Sequence, residues 1–416
     1  MTSRERVEKA INHQKPDRIP LDLGSTPVTG MTASSVWKLR HVLGLKDERI
    51  KVVEPYQMLG EIADDLKESL GVDCVELRRT KNLFGFENKD WKSWELFDGT
   101  PVLVPGNFNT QPDEKGDILM YPEGDRTAPP SARMPKDGFY FDSIVRQPPI
   151  DEAKLMVEDN LEEFQIITDK ELEYYRKQAD YLYENTDYAI VGNFGGTGFG
   201  DIALVPAPFL KYPKGIRDVE EWYISTVSRK KHIYRIFEKQ CEIALQNLEK
   251  IKQVVLNKIT VVYICGADFG MQQGPFISPK AYQELYKPFH KEINSWIHKN
   301  TKWKTFKHSC GGVEPLINDF IDAGFDILNP VQISAVGMEL HQLKEKYGSR
   351  IAFWGGGVDT QKTLPFGTPE EVNQEVREHL ALFSDGGYVF NPVHNVQTGI
   401  SVANLLAMYK TFSQYR

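Results

Sequence analysis

The feature that most constrains this chain is an alternation. Eight short runs of strand character recur along it, at residues 19–23, 71–77, 188–193, 259–265, 304–308, 325–329, 350–354 and 387–391. Stretches of helical period separate almost all of them. Residues 259–265, Ile-Thr-Val-Val-Tyr-Ile-Cys, are β-branched and apolar throughout, as a strand covered on both faces should be. Crossovers of this length between parallel strands call for helices. Eight such units predict an α/β chain folded as a (β/α)8 TIM barrel. An open doubly wound sheet uses the same units but has no need of eight.

Local signals agree with the alternation. Pro16 ends a first helix, and Ser278-Pro279 opens another as cap and first-turn proline. Thr368-Pro-Glu-Glu371 is a helix start. Residues 218–251 are helical with a break around 227–229. One stretch departs from the pattern. In residues 84–145, Trp94 to Val104 reads as a hairpin turning on Asp98 and Gly99, and proline-rich connections follow. We expect one barrel domain over residues 1–416, with 84–145 as an inserted, antiparallel β-rich cap after the second strand.

A barrel gathers the C-terminal ends of its strands at one mouth. The polar residues just past the expected strand ends are Asp22, Asn193, Asp268, His308, Cys310, Asn329, Asp359 and His394. Loops are polar anyway, so the residue types matter more than the positions. His308 and Cys310 stand at i and i+2 of an extended segment, on one side of it. A thiolate with an imidazole suits zinc. Taken alone, the pair is more often a buried cysteine with a histidine nearby. His394, past the eighth strand, can supply a third donor and leave one coordination position open. Gly311 and Gly312 allow a sharp turn beside the site. The glycine-rich loop 194–200 does not match phosphate-binding spacings and reads as a tight active-site loop.

Composition excludes several classes. Fifty basic against 58 acidic residues give a net charge of −8, which argues against a nucleic-acid protein. Four cysteines without a Cys-x-x-Cys pair make no disulfide framework and fit a reducing cytoplasm. No apolar run approaches the ~20 residues of a membrane span. The first residues contain acids and no apolar core, unlike a secretory signal.

Four segments carry a resemblance: Arg4-Glu-Arg with Lys15-Pro-Asp-Arg-Ile-Pro20, Asp268-Phe-Gly with Gln273-Gly and Ser278-Pro279, His308-Ser-Cys-Gly-Gly312, and Gly356-Gly-Val-Asp359. Together they resemble the uroporphyrinogen decarboxylase superfamily over nearly the whole chain, and within it the zinc-dependent corrinoid methyltransferases. The decarboxylases place an arginine-rich segment after the first strand, where this chain has Asp22-Leu-Gly-Ser-Thr26. The resemblance implies Zn2+ held by His308, Cys310 and His394, with His394 where the family has a cysteine. It implies a corrinoid carried by a partner protein, and a methyl group exchanged with a small substrate such as a methyl ether or a methanol-like compound. Asp268 and Gln273 would then orient substrate as catalytic residues, with Asp22, Asn193 and Asp359 as further substrate contacts. Two alternatives stay open. One is a metal-free decarboxylase of a tetrapyrrole, relying on Arg78 and Arg79. The other is a barrel that binds a corrinoid or ligand without chemistry.

Overall fold

The computed structural model describes residues 1–46 and 48–415. Seven strands form one parallel sheet in chain order: β1 (Cys74–Leu77), β2 (Ala189–Gly192), β3 (Val261–Cys265), β4 (Lys304–His308), β5 (Ile327–Asn329), β6 (Ala352–Trp354) and β7 (Tyr388–Val389). The eighth unit is present but reduced. Leu21 makes a single parallel bridge to Phe390, the Phe390 N–H donates to Pro20 O (2.8 Å), and the Asp73 N–H donates to Leu21 O (2.8 Å). The ring thus closes between β7 and β1, as a TIM barrel requires. The expected strand over 19–23 shrinks to this bridge for a physical reason. Pro20 has no N–H to give to a ladder, and the Leu21 N–H is taken by the Asp73 carboxylate (2.9 Å). Asp73 is fully buried and also pairs with Arg6 and Arg18, at 2.7 Å each. Arg6 and Arg18 of the N-terminal motif therefore serve closure of the barrel.

The barrel interior is filled from alternate strand positions. Val191, Val261, Tyr263, Phe306, Ile327, Trp354 and Val389 pack there, and Val7 and Ile11 of the helix Ser3–Ile11 join the same cluster. Because side chains alternate, His308 points the same way as Phe306 and arrives at the C-terminal mouth. Lys307 points outward and is fully buried there, donating to Ala267 O and His308 O (2.6 Å each). The helical break expected at 227–229 falls between Val219–Ser228 and Lys230–Val255. Thr368 makes a full capping box with Glu371, and the Ser278 side chain caps the helix opened by Pro279. Among the described residues, no helix is long and apolar enough to cross a membrane.

The cap differs from expectation in three respects. First, it recruits strands that precede β1: Ile50–Glu54 and Leu59–Gly60 join Pro101–Val104 and Lys92–Glu95 in one four-stranded sheet. Second, Ile50–Glu54 runs parallel to Pro101–Val104, so that sheet is mixed. Third, the hairpin loop has three residues. The Leu96 N–H donates to Thr100 O (3.0 Å) and Gly99 takes φ +77°, a bulged turn in place of a two-residue one. A second, antiparallel sheet joins Ile118–Met120, Ala132–Met134 and Asp142–Ser143. Phe84, Phe108 and Phe141 pack edge to face under it, fully buried.

Candidate metal centre

The end of β4 with the loop that follows it, and the loop after β7, bring His308, Cys310 and His394 together, with one donor atom of each lying within 4.8 Å of the others. His308 Nε2 is 3.3 Å from Cys310 Sγ, and the two histidine rings stand at 67° with centroids 5.5 Å apart. Donors around a tetrahedral zinc sit about 3–4 Å from one another, given Zn–N and Zn–S bonds of about 2.0 and 2.3 Å. The group therefore fits a zinc-sized ion with small side-chain adjustments.

The tautomer of His308 is fixed by its neighbour. Asn329, at the end of β5, donates through Nδ2 to Trp354 O (2.8 Å), so its amide oxygen faces His308. His308 Nδ1–H donates to that oxygen (2.6 Å). Nε2 is left with its lone pair, aimed at Cys310 and His394. This is the outer support that metal-binding histidines use.

The Cys310 loop is held by close backbone approach. Gly311 (φ +84°) packs its Cα against the backbone of Gly270, where a side chain would collide. The Gly311 N–H donates to Gln332 Oε1 (2.8 Å) and the Gly312 N–H to Met271 O (2.9 Å). The Cys310 N–H donates to Asp268 Oδ1 (2.6 Å), which lies 3.6 Å from His308 Nε2. On the opposite side, Asn395 pins the His394 loop. Its Oδ1 accepts from the Gly30 N–H (2.6 Å) and its Nδ2 donates to Pro27 O (2.9 Å).

Burial sets the protonation of these groups. It lowers His308 to about 4, with Lys307 adding to the effect against the Asn329 hydrogen bond. It lowers His394 to about 4 as well, helped by His308. Both rings are neutral near pH 7, which is the ligating form. Burial and then the Asp268 charge push the Cys310 thiol up. Burial also raises Asp268. Burial pushes every group here toward its less charged form, and a divalent cation is the partner that would reverse this for the thiol.

A cavity of about 220 Å3 opens beside the group, with His308, His394 and Asp268 on its floor and Glu54 and Tyr56 of the cap in its roof. Asn193 lines it, as does Arg79 beyond β1. The other expected contacts are placed elsewhere. Gln273 lies exposed in the turn between Gly270–Met271 and Gly274–Pro275, outside the cavity. Asp22 is completely buried below the mouth, accepting from Trp354 Nε1–H (2.8 Å) and the Ser25 N–H (3.1 Å). Asp359 accepts from the backbone N–H groups of Gln361 (2.7 Å) and Lys362 (3.1 Å) and caps its own loop. Sequence reasoning missed Asp201 as a cavity residue and gave Asn329 no role; Tyr263, which the sequence places inside the barrel, packs there and also lines the cavity. The signal for Asn329 was its place at the strand end beside His308 (Cα partners in the β4–β5 ladder).

Residues 215–415 match the family model described as uroporphyrinogen decarboxylase (URO-D). No curated protein matches the chain. Among solved structures, a methyltransferase from Methanosarcina mazei aligns over 100% of this chain and 99% of its own, at 16% identity and a TM-score of 0.55. That likeness shows a shared fold. The catalytic domain of a β-amylase from Paenibacillus polymyxa aligns over 96% of this chain and 99% of its own at 14% identity, but with a TM-score of 0.33, too low to carry any argument. Residues 215–415, just under half of the chain, supply β3 to β7 and all three side chains of the candidate metal centre, and it is this part that is similar to the uroporphyrinogen decarboxylase family.

Proposed function

We propose that this chain is a zinc-dependent methyltransferase that moves a methyl group between a small substrate and a corrinoid carried by a partner protein. The observation that supports it most is the convergence of His308, Cys310 and His394, with the His308 lone pair aimed by Asn329, on the floor of the barrel-mouth cavity. The whole-chain likeness to a methyltransferase of the same fold leans the same way. When bound, zinc would act as a Lewis acid on the substrate heteroatom in its open position.

The residues divide the remaining work. His308, Cys310 and His394 hold the ion, and two neutral imidazoles with one thiolate leave it more electrophilic than two thiolates would. Asn329 keeps the His308 proton on Nδ1. Asp268 fixes the Cys310 backbone through Oδ1, and its raised affinity for protons lets it hold one beside the departing heteroatom. The cap roof keeps water from the methyl carbon. As the bond from heteroatom to methyl breaks, its electron pair stays on the heteroatom, which then takes up a proton.

Two measurements test this. Protein purified without chelator should contain close to one equivalent of zinc, lost in His308→Ala. It should also methylate reduced cobalamin from some methyl ether, methylamine or methyl thioether. Less than about half an equivalent of zinc, unchanged by His308→Ala, would sink the reading.

A second reading, decarboxylation of a tetrapyrrole, has in its favour the description of the matching family and the two arginines at the cavity. Arg78 is engaged by Glu76, however (2.6 Å), which leaves one free guanidinium for a substrate with many carboxylates. Turnover of a porphyrinogen without any corrinoid would favour this second reading.

A further inference from the structure

The metal-binding group occupies one end of the cavity, and a chain of polar contacts organises another part of its wall. Glu76, on β1, accepts from Arg78 Nε on one oxygen (2.6 Å) and from Asn193 Nδ2 on the other (3.0 Å). Both its oxygens are engaged. Asn193 then presents its amide oxygen to Arg79 Nε (3.1 Å). Through this relay Arg79 is held by one edge only, while its two terminal NH2 groups have no acceptor among the described residues. Among the described residues, no carboxylate lies within ion-pair distance of it, although Arg78 beside it is paired.

The loop after β2 is shaped around this guanidinium. Gly195, at φ +76°, passes so close that a Cβ there would sit 3.1 Å from the central carbon of the Arg79 guanidinium. A side chain at 195 would push Arg79 from its place, and the positive φ disfavours one in any case. The glycine-rich loop thus leaves room for an arginine.

Two wall acids, Glu54 and Asp201, lie within electrostatic reach of Arg79 without pairing with it, and burial weakens their charge. Burial raises Glu54 to about 7, against hydrogen bonds from the Tyr56 and Leu83 N–H groups. It also raises Asp201 to about 6. Lys81, at the exposed rim, adds a second positive charge. Between the floor and this edge, Val28, Leu59, Ile62 and Leu83 give the wall an apolar stretch.

We propose that the substrate of this site is a carboxylate with an apolar body, whose acid end is taken by the free edge of Arg79 while its methyl-bearing end faces His308 and His394. A planar guanidinium with two parallel N–H donors matches a carboxylate in a way a lysine or an amide cannot. Asn193 and Gly195 act as positioning residues for Arg79. The inference rests on the methyl-transfer reading only for what the far end of the substrate carries.

Calorimetric titration with 4-methoxybenzoate and with its neutral isostere 4-methoxybenzamide tests it, on the full-length protein with its metal content measured beforehand. The acid should bind at least about tenfold tighter than the amide to the unaltered protein. Arg79→Gln should abolish that preference while leaving amide affinity and zinc content unchanged, which also shows that the variant is folded. Arg79→Lys should retain part of the preference, and Gly195→Ala should weaken it. Equal affinity for acid and amide, no measurable binding of the acid at millimolar concentration, or a preference that survives Arg79→Gln would each overturn the inference. The outcome is separable from the metal chemistry. Protein that takes up no zinc yet prefers the acid would leave this proposal standing and remove the methyl-transfer reading.

Discussion

Two sets of polar residues stand at the C-terminal ends of the barrel strands, and they have opposite fates. At the ends of β4 and β7, His308, Cys310 and His394 each turn one donor atom toward one point, where His308 Nε2 meets Cys310 Sγ with Asp268 beside it. At the ends of the reduced first unit and of β6, Asp22 and Asp359 have oxygens already engaged by Trp354 and Ser25, or by Gln361 and Lys362. All five residues sit where a barrel builds its sites. Position past a strand end therefore gives an opportunity, and the local hydrogen bonds decide whether a side chain is left over to use it. Short acids satisfy nearby N–H groups readily. A histidine whose Nδ1 is bonded to Asn329 still has Nε2 to offer.

The largest effect should come from removing a free donor. Cys310→Ala and His394→Ala should each lower zinc affinity roughly a thousandfold or more, taking each ligand as a fair share of the 10–16 kcal/mol typical of such sites. Asp359→Asn should leave zinc content unchanged. Competition against a chromophoric chelator measures all three. Equal losses in Cys310→Ala and Asp359→Asn would erase the distinction between the two sets.

Acid should expose the same contrast in the metal-free protein. His308 falls from an ordinary 6.5 to about 4 on folding. Between those values the unfolded chain binds the proton and the folded one does not, so stability is lost as pH falls from 6.5 toward 4. At about 1.36 kcal/mol per unit the loss is roughly 3 kcal/mol. Asp22 runs the other way. Burial raises it to about 6, so it weakens the fold above that pH and ceases to do so in acid. Because the two oppose each other, the comparison is between wild type and His308→Asn by denaturant unfolding at several pH values. Wild type should lose about 3 kcal/mol relative to the variant on going from pH 7 to 4. Parallel curves would mean that His308 is not held neutral by burial.

Asn329→Leu sharpens the point at a smaller magnitude. It removes the acceptor that keeps the proton on Nδ1 while leaving all three donors in place. Zinc affinity should fall about 10–100-fold, as for outer-shell partners generally. An unchanged affinity would show that the ring needs no such guide.

Much of this was legible before any coordinates. Seven of the eight strands follow from apolar runs, because strands covered on both faces advertise themselves. His308 and Cys310 were legible from spacing alone, since i and i+2 of a strand share a side. The reduction of residues 19–23 was harder to read. It turns on Asp73, fifty residues away, taking the Leu21 N–H. The strand Ile50–Glu54 was missed because its parallel partner, Pro101–Val104, lies across the cap, and Leu59–Gly60, which pairs back onto Ile50–Glu54, was missed because it is only two residues long. Arg79 was visible as a residue, but its freedom depends on Glu76 having both oxygens occupied by others. Relations of that kind are made by the fold and leave no local pattern.

The smallest effects should fall on the residues whose atoms are already engaged or exposed. Asp22→Ala would leave Trp354 Nε1–H and the Ser25 N–H without acceptors inside the barrel. Orphaning buried donors costs about 1–3 kcal/mol. Removing a buried carboxyl whose protonation burial already favours offsets part of that cost above pH 6, so the net loss near neutrality should lie at the lower end. Zinc content should not change. Gln273→Ala, on an exposed turn, should move stability by no more than about 0.5 kcal/mol. If Asp22→Ala instead strips the zinc while thermal unfolding barely shifts, then the floor of the barrel and its mouth are one coupled unit. In that case the free and the engaged residues are two layers of the same site, and the contrast drawn between them fails.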